Sequence, residues 1–166
     1  EADIDHLTRL PNRRAFERRL ASESKRALST GSALCVAFCD IDHFKAVNDT
    51  HGHEAGDRIL CAVAATLNSV ASETCFVARH GGEEFVLLFY GLDKEAALQK
   101  FDGVRRAMAL KQLMNRDTGK PFGKVTFSGG LAQVTDHDDP RAALALADAA
   151  LYEAKQAGRN RIVAAD

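Results

Sequence analysis

Two glycines followed by two acids form the most chemically distinctive stretch of this sequence. Gly81, Gly82, Glu83 and Glu84 lie between two apolar segments that are typical of paired strands, so we predict a β-hairpin with these residues at its turn. Glycines in such a turn accept positive φ angles and let a ligand approach the backbone closely. Neighbouring side chains of a strand point to opposite faces, so we expect at most one of the two glutamates to bind a metal ion directly.

A second acidic segment follows a pattern that predicts a buried strand. Residues 33–39 are all apolar, as expected of a strand covered on both faces, and Asp40 and Asp42 come directly after them. A carboxylate at the end of a buried strand needs a compensating cation, and its hard oxygen ligands favour Mg²⁺ or Mn²⁺. An isolated Gly-Gly-Glu-Glu turn is also typical of a solvent-exposed loop, but two acidic strand ends together favour a metal site shared by Asp40 and Glu83.

Five segments together resemble the GGDEF family, the bacterial diguanylate cyclases. The signature segment is residues 79–85, RHGGEEF, which has the Glu-containing form of the motif. The other four segments are residues 5–14, 40–49, 52–57 and 152–160, and they follow one another in the family's order. Five segments at family-like spacing over nearly the whole chain are far more specific than one short motif.

Apolar periodicity predicts helices that alternate with strands around the central hairpin. Pro11 and Asn12 are expected to open a first helix and Gly31 to end it, with Leu28 on its apolar stripe. We expect this helix to pack against the first strand. Residues 48–52 are polar or glycine and predict a loop.

Further boundaries are predicted from capping residues and glycines. A helix is expected to run from Asp57 to about residue 71, and Asp139 and Pro140 are expected to be the cap and first residue of the last helix. The glycines in residues 128–130 predict either a bulge or a close approach to the site.

These elements describe an α/β (α+β) fold with a mixed central sheet of about five strands that is flanked by helices. The resemblance implies a sheet similar to the palm of nucleotidyl cyclases and polymerases, with the GGEEF motif on a β-hairpin. No linker or repeat divides the sequence, so we interpret residues 1–166 as a single domain. Because the sequence begins at Glu1 rather than at a methionine, we expect it to be part of a longer protein with an N-terminal sensor or regulatory domain.

The resemblance implies a nucleotidyltransferase that condenses two GTP into cyclic di-GMP and releases two pyrophosphates. It assigns metal binding to the side chains of Asp40 and Glu83 and to the backbone carbonyl of Ile41, with two Mg²⁺ (or Mn²⁺) ions per active site. The 3′-hydroxyl of the ribose must also lose a proton. Glu83, Glu84 and the metal alone remain three alternatives for that step.

The resemblance also assigns contacts to GTP. Asn48 and Asp57 align with guanine contacts, and a carboxylate suits guanine because it accepts from N1–H and the 2-amino group together. The other implied substrate contacts are Phe44, Lys45, His53, Gly81, Gly82, Lys155 and Arg159. The three cations of that set are expected at the β and γ phosphates, and the glycines at the α-phosphate or ribose.

One domain is expected to bind one GTP, so the resemblance implies a homodimer with twofold symmetry. Many diguanylate cyclases carry an Arg-x-x-Asp site before the signature that binds the product and inhibits the enzyme. Ser72 and Cys75 occupy the aligned positions. Neither side chain supplies the guanidinium group or the carboxylate of such a site, so we expect no inhibitory product site.

Composition narrows the remaining classes. A formal net charge of -1 argues against general nucleic-acid binding, and no apolar run approaches the roughly 20 residues of a membrane span. The four cysteines form no Cys-x-x-Cys pair, so we expect free thiols. Free thiols favour a cytoplasmic domain, and the cytoplasmic domain of a membrane-bound sensor also fits this expectation. Two alternatives stay open: a non-catalytic GTP- or cyclic di-GMP-binding signalling module, and a cyclase that uses ATP, against which Asp57 argues.

Overall fold

The computed structural model describes residues 2–166, which form five helices and five strands. The helices are α1 (Arg13–Thr30), α2 (Phe44–His51), α3 (His53–Asn68), α4 (Lys94–Leu110) and α5 (Arg141–Gln156). The strands are β1 (Leu34–Ile41), β2 (Cys75–Gly81), β3 (Glu84–Tyr90), β4 (Phe127–Gln133) and β5 (Ile162–Ala164).

The strands form one mixed sheet in the order β2-β3-β1-β4-β5. β1 lies at its centre and pairs antiparallel with β3 and β4, while β4 and β5 run parallel. Every residue of β1 is buried. The predictions of a mixed five-stranded sheet, of a doubly covered first strand and of a hairpin that carries the two glycines are confirmed.

Two hydrophobic cores lie on opposite faces of the sheet. On one face Val36 and Phe38 of β1 pack with residues of α1 and α5, which cover that side. On the other face Cys35 and Ala37 pack with residues of α3 and α4. Because side chains alternate between the two faces of a strand, Asp40 lies on the face of β1 that α1 and α5 cover.

Helix α1 has the predicted ends. The Asn12 side chain accepts from the backbone N–H of Ala15, and Gly31 adopts φ 70° in the left-handed region. Its buried residues pack on β2 and β3 as well as on β1, so the predicted packing partner was incomplete. Leu28 does not belong to its apolar stripe, because this residue is 61% exposed.

The predicted loop at residues 48–52 is wrong. Residues 48–51 are the last turn of α2, and only Gly52, with φ 90°, separates this helix from α3. The start of α3 therefore moves from the predicted Asp57 to His53, and its end falls at Asn68. Low helix propensity in the Asn-Asp-Thr segment is overridden here because α2 packs against α3.

Two further boundary predictions need correction. Asp139 does not cap α5, and Pro140 occupies the position before the helix rather than its first turn. Residues 128–130 pair regularly with β1, so there is no bulge. The glycines allow close packing of the core instead: a Cβ atom on Gly130 would lie 2.0 Å from the Ala147 carbonyl oxygen of α5.

Two further findings concern the cysteines and the helices. The four cysteines are free. Within residues 2–166, no helix is long and apolar enough to cross a bilayer.

Candidate active site

An acidic pair lies where β1 ends beside the hairpin. Asp40 pairs in register with Glu84 across β1 and β3, so both side chains project from the same face, the one that α1 and α5 cover. Glu83 is in the hairpin turn, and its carbonyl oxygen accepts from the Ile41 backbone N–H at 3.3 Å. The fold therefore brings Asp40, Ile41, Glu83 and Glu84 together, with Glu84 rather than Glu83 directly opposite Asp40.

Asp40, Glu83 and Glu84 are called the acidic centre below, and the surroundings of Asp40 and Glu84 disfavour the ionised forms of these two residues. Asp40 is only 7% exposed, and this burial raises the pKa of its carboxyl group; Glu83 and Asp42 raise that pKa further, while Lys155 opposes them. Burial also raises the pKa of Glu84, with added repulsion from Asp40. Clustered, partly desolvated carboxylates of this kind attract a cation.

Lys155 supplies one such cation. Its Nζ lies 2.5 Å from Asp40 Oδ2, and the lysine side chain is 31% exposed. This contact joins the last turn of α5 to the end of β1. The family resemblance implies that Lys155 contacts the substrate phosphates, whereas in this structure its ammonium group compensates the charge of Asp40, the residue predicted to bind metal.

The acidic centre has the oxygen donors that Mg²⁺ and Mn²⁺ prefer. Among residues 2–166, no group of three or more His, Cys, Asp or Glu side chains is already arranged around one point as a metal-binding cluster. Lys155 holds the carboxylate of Asp40, so a divalent ion would have to compete with that ammonium group. The donor chemistry fits the predicted metal, and the side chains would have to converge on it.

Asp42 has a different role from Asp40, although only Ile41 separates them. Its carboxylate accepts from Thr126 Oγ1 and Ser128 Oγ, both at 2.7 Å, and from the Asn160 backbone N–H at 3.0 Å. These bonds fix the segment after α5, in which Arg159 has φ 65°. Asp42 is thus a positioning residue. The sequence shows that Asp42 is acidic, but no local pattern predicts hydrogen-bond partners that lie more than 80 residues away.

Arg79 fixes the hairpin turn. Its guanidinium group donates to the Gly82 carbonyl oxygen at 2.7 Å and to both carboxylate oxygens of Asp5, at 3.1 and 3.2 Å. Burial acts to raise the pKa of Asp5, but hydrogen bonds from Thr8 and the charge of Arg79 outweigh it and lower the pKa. Sequence analysis gave neither Arg79 nor Asp5 a role, although both lie in the segments that carry the resemblance.

The turn glycines leave open space above the hairpin. Gly82 adopts φ 53°, and no heavy atom lies within 4 Å of a Cβ atom built on either Gly81 or Gly82. The backbone is therefore accessible to a ligand beside the acidic centre, as the sequence predicted for a turn of this type.

The residues assigned to guanine lie on α2 and α3. Gly56 has no side chain, and a Cβ atom there would lie 1.9 Å from Asn48 Oδ1 and 3.2 Å from the Phe44 ring. This close contact places Asn48 and Phe44 against the first turn of α3, which also carries His53 and Asp57. The last two side chains are exposed.

Two of the predicted phosphate contacts are unpaired cations. Lys45 and Arg159 are exposed, and neither forms an ion pair with any residue in 2–166. Lys45 lies at the start of α2 and Arg159 follows α5, so the two approach from separate elements.

The surface beside Ser72 and Cys75 is occupied by contacts within the domain. The guanidinium group of Arg19 lies 4.8 Å from the centroid of Phe76, and that of Arg26 lies 4.0 Å from the centroid of Tyr90. Glu23, whose side chain is 8% exposed, lies near both arginines. These contacts leave no open cavity there.

Comparison with known proteins adds to this geometry. Residues 2–161 match the family model for the diguanylate cyclase GGDEF domain. The diguanylate cyclase DgcP of Pseudomonas aeruginosa is 40% identical over 162 residues, which are 98% of this chain but only 24% of DgcP. The chain therefore spans about a quarter of that relative.

Two solved structures have the same fold. The GGDEF domain of DgcB from Caulobacter crescentus, in complex with c-di-GMP, has a TM-score of 0.96 and 37% identity, with 100% of this chain and 94% of that chain covered. The active GGEEF domain of a diguanylate cyclase from Vibrio cholerae has a TM-score of 0.84 and 30% identity, with 93% and 97% covered.

Proposed function

This chain belongs to the GGDEF family of diguanylate cyclase domains, and we propose that it condenses two GTP into cyclic di-GMP with release of two pyrophosphates. The observation that carries this proposal is the acidic centre, in which buried Asp40 faces Glu84 across the sheet while Glu83 occupies the adjoining turn. The similar GGEEF domain from Vibrio cholerae is described as active, which favours an enzyme over a binding module.

Asp40 and Glu83 would hold divalent metal through their carboxylates, with the Ile41 carbonyl as a further donor. Two Mg²⁺ or Mn²⁺ ions bound there would stabilise negative charge on the attacking 3′-oxygen and on the departing pyrophosphate. Lys155 then exchanges its contact with Asp40 for a contact with the substrate phosphates. The 31% exposure of its side chain leaves it free to turn outward.

The proton of the 3′-hydroxyl needs an acceptor within hydrogen-bonding reach. Glu83 and Glu84 are both close to Asp40, and we propose that one of them accepts this proton while Glu83 also holds metal. Asp42 would act indirectly, because it accepts from the Asn160 backbone N–H and so fixes the segment that carries Arg159.

Asp57 would select guanine by accepting from N1–H and the 2-amino group, with Asn48 beside it. Lys45 and Arg159 would bind the β and γ phosphates, since both cations are exposed and neither forms an ion pair within residues 2–166. His53 and Phe44 line the approach along the start of α3 and α2, and the turn at Gly81 and Gly82 accommodates the ribose or α-phosphate.

Each domain would bind one GTP, while the product contains two nucleotides. We propose that two copies face each other with twofold symmetry, so that the 3′-hydroxyl on one attacks the α-phosphorus on the other. A sensor or regulatory domain of a longer protein would control this encounter. Free cysteines suit a reducing cytoplasm.

We also propose that the domain lacks feedback inhibition through the family's product site. Ser72 and Cys75 form a tight turn through mutual backbone hydrogen bonds. The two arginines on this surface are engaged, since Arg19 lies over Phe76 while Arg26 lies over Tyr90 and bonds Glu23 at 3.3 Å. Within residues 2–166, neither arginine of this surface has a free guanidinium group to bind a phosphodiester.

The proposal is tested by incubating the purified protein with GTP and Mg²⁺ and separating nucleotides by chromatography with mass detection. We expect cyclic di-GMP, at an initial rate that rises with the square of protein concentration while the domain is mainly monomeric. Unchanged GTP at every protein concentration, despite measurable GTP binding, would favour the non-catalytic module.

A further inference from the structure

A cavity of about 500 Å³ lies between α3 and the segment that joins α4 to β4. Its lining is mostly apolar and includes Leu7, Ala62 and Phe122, and Asp57 contributes a carboxylate to the same cavity. This volume is typical of sites for small organic ligands. A flat heterocycle held at Asp57 would therefore have apolar surfaces available on its faces.

A guanine that is held only by Asp57 would leave two strong acceptors without partners. Asp57 can accept from N1–H and the 2-amino group, but it cannot donate to O6 or N7 on the adjacent edge of the base. An acceptor that leaves water without gaining a donor destabilises the complex. Asn48, the other residue assigned to guanine, does not line this cavity, so the cavity needs a different donor next to Asp57.

We propose that Arg58 is this donor and binds O6 and N7 of guanine through its guanidinium group. This inference rests on the proposed function, because it assumes that GTP binds with its base at Asp57. Arg58 follows Asp57 on α3 and lines the same cavity. The arginine fork matches the spacing of O6 and N7, and this is the commonest specific contact to guanine in nucleic-acid complexes.

The contacts of Arg58 leave its guanidinium group available. Its Nη2 lies 3.3 Å from Asp117 Oδ2, but the Asp117 side chain is 72% exposed, so this ion pair is weak. The buried Nε has no hydrogen-bond partner within residues 2–166. If the guanidinium group of Arg58 left Asp117 to bind a purine, two directed hydrogen bonds would replace one ion pair that solvent screens.

The second arginine of the cavity provides a matched control. Arg116 also lines it, but it is exposed on the segment that joins α4 to β4 rather than on the helix that carries Asp57.

Adenine would be doubly mismatched at Asp57 and Arg58, because it presents an acceptor at N1 and an amino donor at the position of O6.

The test compares dissociation constants of GDP and 7-deaza-GDP by calorimetry for the wild type, Arg58→Met and Arg116→Met. GDP has no pyrophosphate leaving group, so this ratio measures base recognition without turnover. The wild type and Arg116→Met should bind 7-deaza-GDP on the order of tenfold more weakly than GDP. Arg58→Met should bind both nucleotides equally, with GDP weakened on the order of tenfold.

Retention of the wild-type ratio in Arg58→Met would overturn the assignment, as would equal binding of both nucleotides, or no measurable GDP binding, by the wild type. Each variant is first checked by its thermal midpoint, which should stay near that of the wild type because the Asp117 ion pair is exposed. Formation of cyclic di-GMP from GTP is measured separately. If product forms but the ratio fails, the proposed function stands and only the role of Arg58 is wrong.

Discussion

Asp40 is buried and bonded to Lys155 on the face of the sheet that α1 and α5 cover, whereas His53 and Asp57 are exposed at the start of α3 on the other side. On the first side the buried carboxylate of Asp40 already has the Lys155 ammonium group as its partner. On the second side the polar groups stay in water until a ligand arrives.

The difference separates two physical tasks. A partly desolvated centre keeps its electrostatic strength because water does not screen it, which suits the stabilisation of charge during a reaction. Exposed side chains contribute little to the stability of the fold, so their residue types can serve base recognition without a large cost in stability. Changes in the acidic centre should therefore affect the rate of chemistry, and changes at α3 should affect substrate choice.

The largest expected effect is on substrate choice. The wild type should prefer GTP over ATP by a factor on the order of 10⁴, because a site built to hydrogen-bond its substrate rejects a mismatched analogue strongly. Asp57→Ala should lose most of this preference in kcat/KM while its thermal midpoint changes little. Comparable turnover of ATP and GTP by the wild type would show that Asp57 does not read the base.

The next effect is on catalysis. Asp40→Asn and Glu83→Gln should each reduce kcat by more than about 100-fold, since even loss of a residue behind a metal ligand costs roughly 10–100-fold. Folding should be largely retained in both. Recovery of Asp40→Asn at raised Mg²⁺ would indicate weakened affinity, while Glu83→Gln with more than about a tenth of wild-type activity would remove Glu83 from the metal site.

Two features of this site could be predicted from local sequence, and two could not. The glycine pair predicted the hairpin, and the apolar run before Asp40 predicted the central strand. The register that sets Asp40 opposite Glu84 depends on strands far apart in sequence. The contacts of Arg79 with Asp5 likewise join residues that no local pattern links.

The error at α2 has the opposite origin. The Asn-Asp-Thr segment has the local composition of a loop, but packing around Gly56 stabilises it as helix. The sequence likewise gives no local signal for the first turn of α3, because no side chain caps this end of the helix. Local propensity was therefore informative where helix ends carry caps, as at Asn12, and misleading where tertiary packing decides.

A third prediction tests positioning by Asp42. Asp42→Ala removes the acceptor of three hydrogen bonds, two of which come from Ser128 and the Asn160 backbone. Unfolding free energy should fall by roughly 3 kcal/mol, because the buried Ser128 hydroxyl and two partly buried donors lose their acceptor. Asp139→Ala, which removes an exposed acid that caps no helix, should change it by less than about 0.5 kcal/mol. Equal effects in chemical denaturation would contradict this assignment.

The smallest effect is the pH dependence at Asp5. Its pKa is lowered in the folded protein by Thr8 and Arg79, which outweigh burial. A lowered pKa means that ionised Asp5 stabilises the fold above the unfolded pKa of 3.8, and that this stabilisation is lost as pH falls through the lower, folded value. Asp5→Asn should cost about 1 kcal/mol at pH 7.

The difference between wild type and Asp5→Asn, measured by thermal unfolding, should shrink steadily below about pH 4. A difference that stays constant between pH 7 and pH 3 would show that the charge of Asp5 does not contribute to holding Arg79 and the hairpin turn.

The most direct test of the acidic centre is the metal dependence and stoichiometry of the reaction. Wild-type protein incubated with GTP should release two pyrophosphates for each cyclic di-GMP, should stop when EDTA removes the metal, and should resume when Mg²⁺ or Mn²⁺ is restored; Glu83→Gln serves as the blank. Product that forms at the same rate in EDTA, or equally in wild type and Glu83→Gln, would contradict the assignment of this centre.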